Sequence, residues 1–159
     1  FDGLEALGLS SSTLVVVTAD HGEELFERAP YFSHEQSYYD AVLRVPLILS
    51  GPGVPRARVR GLVETIDIAP TALELIGAPV PKGFSGMSLV PWLRGRAAPI
   101  RPFAVSEVYY EGLGAAWTIR DERWRLVENP GGVEAPARIR ALTGYLPVGR
   151  GGLYDRRAE

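Results

Sequence analysis

Asp20 and His21 are the adjacent pair in this chain with the clearest chemical potential. They come directly after an unbroken apolar and β-branched run, Thr13-Leu14-Val15-Val16-Val17-Thr18, and directly before Gly22-Glu23-Glu24. In open α/β sheets ligands bind beyond the carboxyl ends of strands, so a carboxylate and an imidazole at the end of such a run stand where a site belongs. Successive residues of an extended strand point to opposite sides. The strand must therefore end here for the two groups to converge, and Gly22 lets the backbone turn. One oxygen and one nitrogen donor suit a divalent cation such as calcium, manganese or zinc, with imidazole leaning toward the later metals. The same residues equally fit a loop carboxylate and histidine that only cap the next turn. Glu23 reads either as support behind a metal ligand or as a solvated loop carboxylate.

The other histidine, His34, lies in Tyr31-Phe32-Ser33-His34-Glu35-Gln36, just ahead of Tyr38-Tyr39. An imidazole there can donate to an anionic oxygen of a sulfate or phosphate ester, or protonate a leaving group. A surface-loop histidine with neither role is the commoner case. The chain has no cysteine, which removes disulfides, thiolate metal sites and thiol nucleophiles.

The elements that must hold these residues follow from apolar spacing. Phe1, Leu4 and Leu7 predict a helix closed by Gly8, and the run over 13–18 predicts a strand buried on both faces of a parallel sheet. Residues 23–36 lack a period and read as a loop. A short helix is expected over Ser37 to Leu43, with Tyr38, Tyr39 and Val42 on its apolar side, and a second buried strand over Val45 to Leu49. Asp67 to Gly77 predicts a helix with Asp67 as N-cap, Pro70 in its first turn, Gly77 past its end, and Ile68, Ala72, Leu75 and Ile76 as its buried stripe. Beyond Arg96, alternating segments at Phe103–Tyr109, Ala116–Arg120 and Trp124–Glu128, with a turn at Arg120 to Arg123, predict a small antiparallel sheet. Trp92, Trp117 and Trp124 are expected in the core or in sheet packing rather than as a stacking platform for substrate.

At 159 residues, 46% hydrophobic and 23% charged, the chain can bury a sizeable core without metals or disulfides. Its 17 basic and 19 acidic residues form no polycationic block, which argues against a nucleic-acid partner. Lys82 is the lone lysine, the bias of a GC-rich genome. No apolar run reaches the roughly 20 residues of a membrane span. Arg44 before the second strand, and the alternating Arg56, Arg58 and Arg60, read mainly as ion-paired or solvated surface residues.

Several segments together resemble the sulfatase family of the alkaline phosphatase superfamily. They are Thr13 to Glu23 with Asp20-His21-Gly22, then His34, Tyr39-Asp40, Arg44-Val45-Pro46-Leu47-Ile48, Asp67-Ile68-Ala69-Pro70-Thr71, Gly77, Gly86-Met87-Ser88-Leu89, Trp92-Leu93-Arg94-Gly95 and Leu153-Tyr154-Asp155. The resemblance covers nearly the whole chain, and linked motifs in one order are far more specific than any one of them. It implies an α/β fold, a three-layer αβα sandwich with a mostly parallel sheet, followed by a small C-terminal antiparallel sheet. On that view residues 1–95 are the C-terminal part of the catalytic domain and 96–159 a small antiparallel subdomain.

Asp20 and His21 then match the family's second pair of metal ligands, and His34 falls near the lysine or histidine that contacts the substrate's sulfate. The expected cofactor is one divalent ion, calcium ahead of manganese or zinc. The expected substrate is a small-molecule or glycan sulfate ester, and a periplasmic or secreted setting is mildly favoured. The family's Cys/Ser-x-Pro-x-Arg motif, the source of its formylglycine nucleophile, and its first acidic ligands are absent. The one matching frame, Ala97-Ala98-Pro99-Ile100-Arg101, carries alanine at the nucleophile position and lies on the wrong side of the metal motif. The expectation is a C-terminal fragment, inactive without the missing N-terminal half. A phosphoryl or phosphonyl hydrolase or transferase of the same superfamily, motivated by His21 where many sulfatases carry asparagine, and a degenerate non-catalytic fragment are the alternatives.

Overall fold

The computed structural model describes residues 1–26, 32–34, 39–110, 114–128 and 151–155. In chain order its elements are α1 (Asp2–Ala6), β1 (Val15–Thr18), β2 (Glu24–Leu25), β3 (Phe32–Ser33), α2 (Asp40–Leu43), β4 (Leu47–Ser50), a 3-10 turn (Thr65–Asp67), α3 (Ile68–Leu75), α4 (Val90–Leu93), β5 (Ala104–Tyr110), β6 (Gly114–Arg120), β7 (Trp124–Glu128) and β8 (Gly151–Asp155). They group into two compact units. The first holds Phe1–Thr18 and Pro46–Pro102, the second Ala19–Val45 and Phe103–Glu159.

In the first unit, α1 ends at Gly8 as expected, with the Gly8 N–H donating to the Glu5 carbonyl. β1 and β4 are neighbours, but they run antiparallel, pairing Val15 with Ser50 and Thr18 with Leu47. A parallel pair was expected from their apolar runs. Such runs record burial and not strand direction. Nor are both faces of the pair covered, since the cross-strand partners Val17 and Ile48 are 43% and 57% exposed. The three-layer parallel sheet is not seen among the described residues.

α3 forms where expected and stops at Gly77, whose φ of 75° is the left-handed conformation that glycine adopts without strain. The predicted stripe is not its fully buried side, however: Ile68, Ala72 and Leu75 are half-buried. Pro70, Thr71 and Asp67 are the buried residues, while Ile76 of the predicted stripe is 64% exposed. Asp67 does not cap α3 through its side chain. Its carboxylate instead accepts the Glu64 N–H (2.9 Å), closing a capping box around the 3-10 turn, and the Met87 N–H (2.9 Å). It also takes the Arg101 guanidinium at 2.5 Å, and Arg101 makes a second ion pair with Glu64. Burial pushes the Asp67 carboxyl up from its ordinary value, against the pull of the Met87 N–H, and burial lowers Arg101 in turn. Thr71 extends the knot by donating to the Asp67 carbonyl (2.6 Å) and accepting the Leu89 N–H (2.9 Å).

The second unit contains the expected antiparallel sheet, in the order β5-β6-β7-β8. Alternation sends Ala104, Thr118, Arg125 and Val127 to the buried face, and Val105, Ile119 and Leu126 to the other. Trp117 and Trp124 share that second face at 38% and 37% exposure, so neither is a core residue. The turn between β6 and β7 is held by Asp121, whose carboxylate accepts the N–H groups of Arg123 and Trp124. α2 is shorter than expected and begins at Asp40, with Val42 buried. Ser37 and Tyr38, at the start of the expected helix, lie outside the described residues. Asp40 receives the fully buried Arg125, and Arg120 stands 3.7 Å from the same carboxylate oxygen. No helix among the described residues is long and apolar enough to cross a membrane.

Candidate metal centre

The candidate residues all belong to the second unit. Gly22 anchors the loop that carries Asp20 and His21, since its N–H donates to the Val42 carbonyl at the end of α2 (2.7 Å). A Cβ on Gly22 would sit 1.9 Å from the Ala41 carbonyl oxygen, so only glycine fits there. The Arg125 and Arg120 contacts to Asp40 therefore fix α2, and α2 fixes the loop.

A two-residue antiparallel ladder brings in His34. Glu24 pairs with Ser33 and Leu25 with Phe32, so the next pair outward is Glu23 with His34. That register places the Glu23 Oε2 3.1 Å from the His34 Nδ1. Residues 23–36 were expected to be loop throughout, and a ladder this short leaves no periodic signal in a sequence. Glu24, the next residue along β2, is buried and faces away from Glu23 by strand alternation.

The donor set fits a divalent cation. Asp20 Oδ2 and His21 Nε2 are 3.7 Å apart. An ion at ordinary bond lengths of about 2.3 Å to oxygen and about 2.1 Å to nitrogen would see them at an angle of roughly 110°, an unstrained bite. The His21 Nδ1 lies 2.7 Å from the Gly22 carbonyl oxygen, an acceptor, so Nδ1 carries the hydrogen and the Nε2 lone pair is left for a ligand bond. The His21 backbone N–H donates to Asp20 Oδ1 (3.0 Å) and, with the imidazole beside it, holds that exposed carboxyl below the usual carboxylate range. Asp20 is thus charged and open to solvent.

His34 stacks on His21, with ring centroids 3.9 Å apart and 22° between planes. His21, Glu23 and His34 also offer ligand atoms that lie within 4.8 Å of one another. Stacking disfavours that trio as one metal site, because imidazole lone pairs lie in the ring plane and those of near-parallel rings run side by side instead of converging.

A carboxylate and an imidazole that follow β1 in the chain, with a second imidazole stacked on the first, form the candidate site. In fold the chain is similar, over 99% of its length and 30% of the other chain, with a TM-score of 0.75 and 24% identity, to a protein solved in complex with its substrate D-glucosamine-2-N,6-O-disulfate. A 2-O glycosaminoglycan sulfatase matches over 98% of this chain and 32% of its own, with a TM-score of 0.72 and 30% identity. The family described as Sulfatase matches residues 1–78, and the chain belongs to the sulfatase family. Arylsulfatase K of the dog is 32% identical over 133 residues, covering 78% of this chain and 24% of its own length. Arylsulfatase K of the chicken is 30% identical over 145 residues, covering 86% and 27%. The chain thus spans about a quarter of the length of these relatives.

Proposed function

We propose that this chain is part of a metal-dependent sulfatase that hydrolyses sulfate esters, with Asp20 and His21 as metal ligands and His34 against the substrate. The observation that carries the reading is the 3.7 Å separation of Asp20 Oδ2 and His21 Nε2 beside the stacked His34 ring. A bound divalent ion, calcium ahead of manganese or zinc, supplies neutralisation of the transferring sulfuryl group and orients the nucleophile. Asp20 contributes its charged carboxylate, and His21 the lone pair that Gly22 leaves free. His34 stands against an ester oxygen, where an imidazole can donate an N–H to the anionic ester or protonate the leaving group.

The formylglycine motif of the family does not occur in these 159 residues, so they are expected to be inactive alone. Residues 1–95 belong, on this reading, to a three-layer catalytic domain with a mostly parallel sheet to which β1 and β4 contribute an antiparallel pair. Residues 96–159 form the small C-terminal subdomain. A glycan sulfate is the substrate class, by kinship with the 2-O glycosaminoglycan sulfatase.

The test is to measure metal content and hydrolysis of 4-nitrophenyl sulfate, phosphate and phenylphosphonate ester by the naturally expressed protein and its Asp20→Ala variant. Sulfate turnover that disappears with the metal in Asp20→Ala is expected. Full activity and metal content in that variant would sink the assignment. Preference for phosphate or phosphonate would move it to the phosphoryl-transfer branch, which His21 in place of asparagine favours.

A further inference from the structure

Arg120 and Arg125 stand directly opposite each other on β6 and β7, so their side chains share a face of the sheet. Arg125 is fully buried and Arg120 half-buried. Two facing cations repel and give up hydration, which costs stability unless an anion meets them. Both reach the same oxygen, Asp40 Oδ1 at the first residue of α2, with Arg125 in direct contact and Arg120 at 3.7 Å. α2 is four residues long, too short to keep its shape unaided. Its Val42 carbonyl accepts the Gly22 N–H at 2.7 Å, and the Ala41 carbonyl oxygen fills the place of a Gly22 Cβ. The backbone that carries Asp20 and His21 therefore lies directly on a helix whose first residue is held by the sheet.

We propose that Arg125, supported by Arg120, is a positioning residue of the metal centre: through Asp40 and α2 it sets the loop on which Asp20 and His21 meet an ion, so that ion affinity depends on the C-terminal sheet. This rests on the metal reading above. The dependence is reciprocal, because a contact that strengthens ion binding is itself strengthened by the bound ion in the same ratio.

Affinity for calcium and manganese ions would be measured by titration calorimetry on the naturally expressed protein, Arg125→Met, Arg125→Lys and Arg120→Met. Hydrogen exchange of the Gly22 amide and of the β6 and β7 amides would be followed with and without ion. Arg101→Met, which strands a buried carboxylate in the other compact unit, controls for lost stability alone. In Arg125→Met ion binding should weaken about tenfold and Gly22 exchange faster. Arg125→Lys, which keeps a cation, should recover part of both. Arg120→Met, whose contact is longer, should lose about threefold. Arg101→Met should leave ion affinity and Gly22 exchange as they were. Adding ion to the unmutated protein should slow exchange in β6 and β7 about tenfold, and less so in Arg125→Met. Unchanged affinity in Arg125→Met, an equal weakening in Arg101→Met, or no recovery in Arg125→Lys would each overturn the proposal. Should Arg125→Met fail to fold, Arg120→Met decides: weaker ion binding with faster Gly22 exchange supports the proposal, and no change in either overturns it. If the unmutated protein binds neither ion, the metal reading fails by itself, and Gly22 exchange still judges whether Arg125 holds the loop.

Discussion

Two clusters in this chain use nearly the same side chains to opposite ends. Around Asp67, a carboxylate is buried and saturated by the N–H groups of Glu64 and Met87 and by Arg101. Around Asp20, a carboxylate is open to solvent, held by backbone N–H groups of its own loop, with His21 Nε2 3.7 Å away. The first has spent its bonding capacity on the fold. The second keeps free lone pairs pointed outward, as a group that must capture an ion and release a product requires. Residue type does not separate these cases, whereas burial and the number of committed lone pairs do.

That contrast can be broken by mutation, and the largest effect belongs to the open cluster. His21→Ala should lower kcat/KM at least about a thousandfold, equivalent to about 4 kcal/mol, with loss of bound metal. Its unfolding free energy should stay within about 0.5 kcal/mol of the parent, because nothing buried is removed. A large stability loss would mean that the loop is part of the core.

The saturated cluster should respond the other way. Arg101→Met strands a buried carboxylate and should cost about 3 kcal/mol in urea unfolding, with kcat per folded molecule unchanged. Adding Asp67→Asn should recover part of that loss, since the stranded charge goes with it. Thr71→Val leaves the buried Leu89 N–H without its acceptor and should cost about 1–2 kcal/mol. Asp121→Ala, at an exposed turn, should cost about 0.5 kcal/mol by the same measurement.

Legibility in the sequence follows the range of the interaction. Helix ends at Gly8 and Gly77 and the alternating strands over 104–128 depend on neighbours a few residues away, and the sequence displays them. Asp20 and His21 are conspicuous because a polar pair ends an apolar run. The Asp67 carboxylate was misread as a cap of α3 because the partner that redirects it, Arg101, lies 34 residues further on. The antiparallel pairing of β1 with β4 was hidden because one apolar run serves either direction. The contact of Glu23 with His34 depends on a two-residue ladder, and register of that kind is set by pairing partners rather than by local composition.

That ladder also loosens a constraint on descent. Because Glu24 and Leu25 clasp Ser33 and Phe32, the spacing of Glu23 from His34 is set where the hairpin closes and not by how much chain is looped out beyond it. Doubling the looped length costs only about 0.6 kcal/mol in closure entropy. Lineages can therefore change the number of residues between Leu25 and Phe32 while the two imidazoles inherit an unchanged separation.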